Sequence, residues 1–234
     1  MKKWRVAIIV STVVVLVGAG VAYAAYDYYA GNSVEVKSVI ATSSPGAASP
    51  GASATPAAAV EAASVDGLWT IQAASEVYFS VTTSRETVNF SVKPVTGSWQ
   101  LNSSDPAQNK GEGSVELANL SSGNSQRDNH IKGNDYLQVA QYPNATFTTT
   151  SFEQLPEEWK EGEAVPIRIN GTLSLRGLSK DVAFDSKAQF IEGKLNLEGS
   201  TVVTFDDFGM KNPHTVLLNT QNDVTVQLRL ILAK

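Results

Sequence analysis

The C-terminal stretch Val224-Thr225-Val226-Gln227-Leu228-Arg229-Leu230-Ile231-Leu232 alternates apolar and polar residues for most of its length. Successive side chains of a strand point to opposite faces, so this pattern places one face on a core and the other in water. The same period of two recurs upstream, at residues 77–81, 88–92, 115–117, 167–175, 182–184, 195–197 and 203–205. From about residue 66 onward the sequence therefore predicts an all-β domain.

Short turn signals separate these strands. Glu192-Gly193-Lys194 marks a tight reversal, and residues 177–180 connect two longer alternating runs. Many strands joined in this way are typical of an antiparallel sandwich or barrel. Alternation alone does not distinguish the two architectures.

One polar stretch interrupts the strands. It reads Arg127-Asp128-Asn129-His130-Ile131-Lys132, followed by Asp135-Tyr136-Leu137 and Tyr142-Pro143. Because it is the least strand-like part of the domain, we predict an ordered crossover there. The helical signal lies near Asn134, which can cap a short helix through residues 137–140 that ends before Pro143.

The N-terminus carries the signature of export. Lys2, Lys3 and Arg5 precede an apolar run at residues 6–25, which is long enough to span a bilayer as a helix. Positive charge on the N-terminal side predicts that the downstream chain lies outside the cytoplasm. We predict that residues 1–30 form a single-pass anchor in the cell membrane.

A second interpretation of residues 1–30 is a signal peptide. Ala22-Tyr23-Ala24 fits the small-x-small cleavage pattern, and cleavage there would give a secreted or periplasmic protein. Residues 31–64 are rich in Ala, Ser, Pro and Gly and contain little charge. We predict that they form a disordered linker, followed by a barrel or sandwich domain at residues 65–234.

Composition excludes several classes of function. The net charge of −5 gives no electrostatic support for nucleic-acid binding, and zero cysteines exclude disulfides and thiolate metal sites. His130 and His214 are the candidate imidazole bases, and no Gly-x-Ser-x-Gly motif accompanies them. Asp128, His130 and Asp135 offer possible metal ligands, but they lack the spacing of known zinc motifs. We predict neither a metal site nor an enzyme.

What remains is a set of apolar strand faces and one polar cluster. The candidate inward-facing residues are Phe79, Val81, Phe147, Leu175, Phe184, Phe205 and Leu228. They would either line a tunnel or fill a solid core. The polar cluster consists of Arg127, His130, Lys132 and Tyr136. It would either meet an anionic or quinone head group at the mouth of a tunnel or, through pairing of Arg127 with Asp128, close the end of the domain.

Four groups of residues, taken in order, carry a resemblance to a known family. They are Trp69-Thr70-Ile71 with Ser75-x-Val77-x-Phe79; Arg127-Asp128-x-His130-Ile131 with Asp135-Tyr136-Leu137 and Tyr142-Pro143-x-Ala145-x-Phe147; Gly171-Thr172-Leu173-x-Leu175-x-Gly177-Leu178-x-Lys180; and Asp207-Phe208-Gly209-Met210. Through them, residues 66–234 resemble the YceI-like family of extracytoplasmic lipid-binding proteins. The resemblance implies an antiparallel lipocalin-like β-barrel that binds an isoprenoid-like lipid, such as a polyprenyl or quinone lipid, as a carrier or sequestering protein.

Two positions depart from the family pattern. Ala74 stands where the family usually has a histidine, and Phe205 stands where it usually has an arginine. We expect Phe205 to weaken any preference for a charged head group. The alternative function is that of a cell-envelope interaction or stress-response module, with a solid barrel that binds protein or polymer on its outer surface.

Overall fold

The computed structural model describes residues 31, 34–40, 59–61, 64–213 and 219–234. Within these residues the chain forms strands joined by turns, three short 3₁₀ turns and one α-helix, α1 (Ser125–Lys132). The strands are β1 (Ala59–Glu61), β2 (Gly67–Ile71), β3 (Glu76–Thr83), β4 (Thr87–Val92), β5 (Val95–Leu101), β6 (Lys110–Glu116), β7 (Asn144–Glu153), β8 (Glu158–Lys160), β9 (Ala164–Leu175), β10 (Leu178–Ile191), β11 (Lys194–Thr204) and β12 (Thr220–Ala233).

Ten of these strands form one closed antiparallel barrel. Hydrogen bonds connect β12, β2, β5, β6, β7, β9, β10 and β11 in that order, and β11 pairs with β12 to complete the ring. β2 and β3 both pair with β12, through Ile71 and Glu76 respectively, so together they occupy one position in the ring. β4 and β5 share the next position in the same way. The barrel is therefore eight strands around, with two of the eight positions each shared by two short strands. This confirms the all-β prediction and shows that the domain is a barrel and not a sandwich.

The ring is incomplete at one end, which we call the mouth end. β5 pairs with β6, but none of the described strands pairs with β4 on that side; Ser91 of β4 instead exchanges two backbone hydrogen bonds, of 2.8 and 2.9 Å, with Ser121. Ser121 begins the polar crossover between β6 and β7. The crossover therefore fills the gap that the strands leave, and it lies beside the barrel interior.

The crossover helix begins earlier than the sequence indicated. α1 covers Ser125–Lys132, and its N-cap is Asn124, whose side chain accepts hydrogen bonds from the amides of Gln126 and Arg127. The predicted helix at residues 137–140 is wrong, because that stretch forms turns. Arg127 and Asp128 are buried by contacts outside the helix, and no apolar periodicity marks such a helix in the sequence.

The opposite end of the barrel, which we call the floor end, is solid. Trp69 is 1% exposed, donates its indole N–H to the carbonyl oxygen of Val65 at 2.7 Å, and meets the ring of Phe190 edge to face at 6.4 Å. Trp99 packs against Phe152 with a ring-centroid distance of 5.3 Å. These bulky rings fill the barrel cross-section, so the interior is closed at this end.

A segment from the stretch predicted as linker lies on the outer wall of the barrel. We call this segment, residues 31 and 34–40, the strap. Its backbone contacts β4, β11 and β12 through the following hydrogen bonds: Asn89 Nδ2 to the Val34 oxygen (2.9 Å), Arg229 Nε to the Lys37 oxygen (3.0 Å), Asn196 Nδ2 to the Val39 oxygen (2.9 Å), and the Val39 and Ile40 amides to Glu198 Oε1 (2.7 and 3.0 Å). Residues 41–58 of the predicted linker lie outside the described residues.

The strap also covers Tyr78, which projects from the outer face of β3. Tyr78 is only 1% exposed, and the Lys37 backbone reaches its hydroxyl. Burial, together with the hydrogen bond from the hydroxyl to Glu76, raises the pKa of Tyr78 to about 12. A buried tyrosine on an outer barrel face indicates that the strap is part of the folded domain.

The predicted anchor, residues 1–30, lies outside the described residues. Among the helices that the structure does describe, none is long and apolar enough to cross a membrane.

Gly97 offers a test of the β5–β6 pairing. Its φ is +139°, and a Cβ there would lie 2.1 Å from the carbonyl oxygen of Glu112. Because backbone atoms cannot move aside, we expect Gly97→Ala to lower the free energy of unfolding by about 3 kcal/mol or more. Gly162 also has a positive φ, +77°, but no atom lies within 4 Å of the position that a Cβ would take there. Gly162→Ala should lower the free energy of unfolding, measured in urea, by only about 1 kcal/mol. Equal decreases in the two variants would contradict the close approach of Gly97 to Glu112.

Glu198 makes docking of the strap depend on pH. Burial alone would raise the pKa of Glu198, but hydrogen bonds from Ser38, Ile40 and Val39 outweigh it and hold the pKa below its usual value. A lowered pKa in the folded state stabilises docking above the ordinary value of about 4.3, and this stabilisation is lost as the pH falls. We expect the hydrogen-exchange protection of the Val39 and Ile40 amides to fall below that pH, by at most about tenfold per pH unit.

Glu198→Gln is the matched control for this pH dependence. The amide cannot titrate, so protection of the two strap amides should be lower at neutral pH and flat across the acidic range. An acid-induced loss that persists in Glu198→Gln would show that another group controls the strap.

Candidate functional site

The barrel encloses a cavity of about 400 Å³ that extends inward from the mouth end. Its walls are the inward faces of the alternating strands, and the crossover completes them where β4 lacks a strand neighbour. All seven apolar residues predicted from the alternation line it: Phe79, Val81, Phe147, Leu175, Phe184, Phe205 and Leu228. A solid barrel, the premise of the alternative function, is therefore not what the structure shows.

The cavity is long and narrow. On β12 the lining residues run from Thr220 to Leu230, which at about 3.3 Å per residue and a tilt of about 40° spans a depth of roughly 25 Å. Spread over that depth, the volume of about 400 Å³ leaves a mean area of about 16 Å² in which the centres of ligand atoms can lie. Carbon atoms in contact are about 3.5–4.0 Å apart, so this width admits one hydrocarbon chain.

Aromatic side chains shape the cavity wall. Phe79 on β3 stacks on Phe90 of the neighbouring β4, with ring centroids 4.5 Å apart and planes 7° from parallel. Phe147 and Phe184 meet edge to face at 5.1 Å. Phe90 was not among the predicted site residues, although its place in the alternating run 88–92 is a signal that would have found it.

A turn after β11 adds wall residues that alternation does not reveal. The 3₁₀ turn Asp206–Phe208 directs Phe208 and Met210 into the cavity, and Gly209 ends it with a φ of +62°. Asp207 holds this turn by accepting hydrogen bonds from Lys180 Nζ at 2.6 Å and the Thr204 amide at 2.9 Å. The Lys180 bond is the main reason that the pKa of Asp207 lies below its usual range.

Arg127 lines the cavity and also connects the crossover to the strap. Its side chain is 7% exposed; Nε donates to Ser122 Oγ at 3.0 Å, and Nη2 donates to the Gly31 carbonyl oxygen of the strap at 2.9 Å. Asp128, equally buried, accepts from both the amide and the hydroxyl of Ser122, at 2.8 and 2.6 Å. Arg127 and Asp128 thus meet at Ser122 and hold α1 and the strap to the barrel.

The other polar candidates divide into two groups. His130 is exposed and Tyr136 is half-buried; their rings lie 5.1 Å apart, and both line the cavity. Lys132 is half-buried and is not part of the lining. On an α-helix it lies about 140° around the axis from Arg127, whereas His130 lies within about 60°. Of the three, His130 and Tyr136 therefore line the cavity, and Lys132 does not.

The two departures from the family pattern differ in their consequences. Ala74 is exposed and lies outside the cavity lining, so its identity does not alter the site. Phe205 is 6% exposed and contributes its ring to the cavity wall. The substitution of an apolar ring for a cation therefore affects the interior directly.

The described lining carries little ionisable chemistry. None of the described residues that line the cavity is a carboxylate, and Arg127 and His130 are the basic side chains among them. Across the described part of the chain, no group of three or more His, Cys, Asp or Glu residues could hold a metal ion. His214 lies outside the described residues.

Arg127→Ala tests the structural role of the guanidinium. The change leaves the buried Asp128 carboxylate without its basic neighbour at Ser122, so we expect the free energy of unfolding to fall by about 2–3 kcal/mol. His130→Ala, on the exposed side of the same helix, is the control and should change it by less than about 0.5 kcal/mol. Unchanged stability in Arg127→Ala, measured by urea unfolding, would assign Arg127 to ligand contact alone.

Sequence relatives extend across most of this barrel. A family model described as YceI-like domain matches residues 69–232. A UPF0312 protein of Pseudomonas putida is 29% identical over 143 residues, covering 58% of this chain and 70% of that protein.

Solved structures share the same architecture. Burkholderia cenocepacia BcnA aligns with a TM-score of 0.59 at 15% identity, over 69% of this chain and 98% of BcnA. A polyisoprenoid binding domain from Saccharophagus degradans, implicated in plant cell wall breakdown, aligns with a TM-score of 0.58 at 14% identity, over 70% of this chain and 97% of that domain. Because the family match covers well over half of the sequence, the chain belongs to the YceI-like family.

Proposed function

We propose that the barrel binds one long isoprenoid-like lipid chain in its cavity and acts as a carrier or sequestering protein. The observation that carries this proposal is the shape and lining of the cavity: about 400 Å³, roughly one hydrocarbon chain wide, and walled by aromatic and aliphatic side chains. Burial would contribute about 0.8 kcal/mol for each methylene removed from water. The structurally similar Saccharophagus degradans domain, a polyisoprenoid binding domain, supports this class of ligand.

The head group would lie at the mouth, beside His130 and Tyr136. Arg127 is committed to Ser122 and to the strap, and Phe205 adds apolar surface to the wall. Phe205, which replaces the arginine usual in the family, weakens the preference for a strongly anionic head, because a buried charge needs a partner. This arrangement supports recognition of the chain more than of the head.

Binding without chemistry fits the same surroundings. The described lining residues include no carboxylate, so they form neither a paired-carboxylate site nor a complete Ser-His-Asp triad. In this proposal the protein is not an enzyme, and it works outside the cytoplasm, tethered to the cell membrane through residues 1–30. The basic residues Lys2, Lys3 and Arg5 before the apolar run support that placement.

The direct test is to identify what the protein carries. The full chain, purified from its own host in detergent, is extracted with organic solvent, and the extract is analysed by mass spectrometry. A stoichiometric polyprenyl or quinone lipid is the expected result. A preparation with only bulk membrane lipids, which also fails to take up added polyprenyl lipid, would refute the proposal.

A matched pair of valines sharpens this test. Val226 on β12 lines the cavity, whereas Val202 on the adjacent β11 is 58% exposed on the outside. We expect Val226→Trp to fill the narrow interior and reduce bound lipid at least tenfold, while Val202→Trp leaves it unchanged. Equal lipid content in the two variants, measured in the same extraction, would place the lipid outside the barrel.

A further inference from the structure

The strap begins at the mouth of the cavity. The carbonyl oxygen of Gly31 accepts a hydrogen bond from Arg127, which lines the cavity, and its amide donates to Glu86 beside the β3–β4 turn. Both contacts lie at the mouth end. Gly31, the first described residue of the strap, therefore lies at the mouth rather than at the floor.

The apolar run ends close to this point in the sequence. It extends to Ala25, six residues before Gly31. Six residues span at most roughly 21 Å when fully extended. The sequence separation therefore limits the distance between the end of the apolar run and Gly31 to roughly 20 Å.

The strap restricts how the barrel can turn about this connection. Beyond Gly31 its backbone is bonded to Asn89, Arg229, Asn196 and Glu198, which lie on three different strands. A flexible linker would let the barrel tumble freely. A docked segment instead fixes which end of the barrel lies nearest to the apolar run.

We propose that the strap holds the barrel with its mouth against the bilayer that residues 6–25 enter, so that the lipid chain passes between bilayer and cavity without crossing water. This inference rests on the proposed lipid-binding function and on the membrane anchor. The lipid bilayer is the partner of the mouth surface. Transfer at contact avoids exposing the apolar chain to water, which costs free energy in proportion to its area.

The chain has no cysteine, so a thiol-reactive label attaches only at a cysteine that is introduced. Leu178, 46% exposed at the β9–β10 turn, lies at the mouth end, and Leu68, 58% exposed on β2, lies toward the floor end. The variants Leu178→Cys and Leu68→Cys of the full chain are labelled with a fluorophore and placed in phosphatidylcholine vesicles with and without spin-labelled head groups. We expect at least threefold stronger quenching at position 178; equal quenching, stronger quenching at position 68, or failure to remain with the vesicles would overturn the proposal.

Releasing the strap tests its role. Combining Glu86→Ala, Asn89→Ala, Asn196→Ala and Glu198→Ala removes the side-chain partners of Gly31, Val34, Val39 and Ile40 without touching the cavity lining. Quenching at the two positions should become equal while the chain stays in the vesicles. Quenching that remains stronger at position 178 in this variant would show that the strap does not set the orientation.

Extraction of the same vesicle preparations separates the two proposals. Bound polyprenyl lipid with equal quenching at both positions would leave the proposed function standing and overturn the orientation. Asymmetric quenching without any bound lipid would support the orientation, while refuting the lipid-binding function and with it the direct transfer.

Discussion

Closure of the backbone hydrogen-bond ring is the constraint on which the rest of this structure depends. Once β11 and β12 pair, and β12 also pairs with β2 and β3, the number of positions fixes the barrel width. Side-chain volume then decides whether each layer is filled or empty. Trp69 with Phe190 fills the floor end, whereas valines such as Val81 and Val226 leave space beside the phenylalanines of the cavity wall. The narrow cavity follows from the width of the ring and from the side chains that its strands direct inward.

Alternation was sufficient to predict the strands and the residues that face inward, because a period of two depends only on local geometry. It was not sufficient to show whether Phe79 and Leu228 surround a space or fill it, since that depends on what the facing strands contribute. The helix was misplaced for a related reason. α1 is held by burial of Arg127 and Asp128 around Ser122, and these contacts leave no apolar pattern in the sequence.

The strap shows a second limit of pattern analysis. Val34 and Val36 alternate with Glu35 and Lys37, but this run is too short to predict a strand. Ser38 adds one side-chain hydrogen bond to Glu198, but the other strap hydrogen bonds to Asn89, Asn196 and Glu198 use backbone atoms of the strap. Any sequence has those atoms, so the composition of residues 31–64 indicated only a linker. The sequence feature that could have predicted docking of the strap lies on the barrel, where Glu198 and Arg229 occupy neighbouring strands on the outer face. Opposite charges across two strands also stabilise sheets on which no further segment docks, so this pair did not point to the strap.

Recognition in this cavity favours length over chemical identity. Each methylene that enters adds about 0.8 kcal/mol, whereas discrimination between head groups needs placed polar partners. Arg127 is occupied by Ser122 and Gly31, and Phe205 offers only an apolar ring. A site of this kind distinguishes a long flexible chain from a short one more strongly than one head from another. In the carrier role proposed above, such selectivity would hold the chain firmly and leave the head accessible at the mouth.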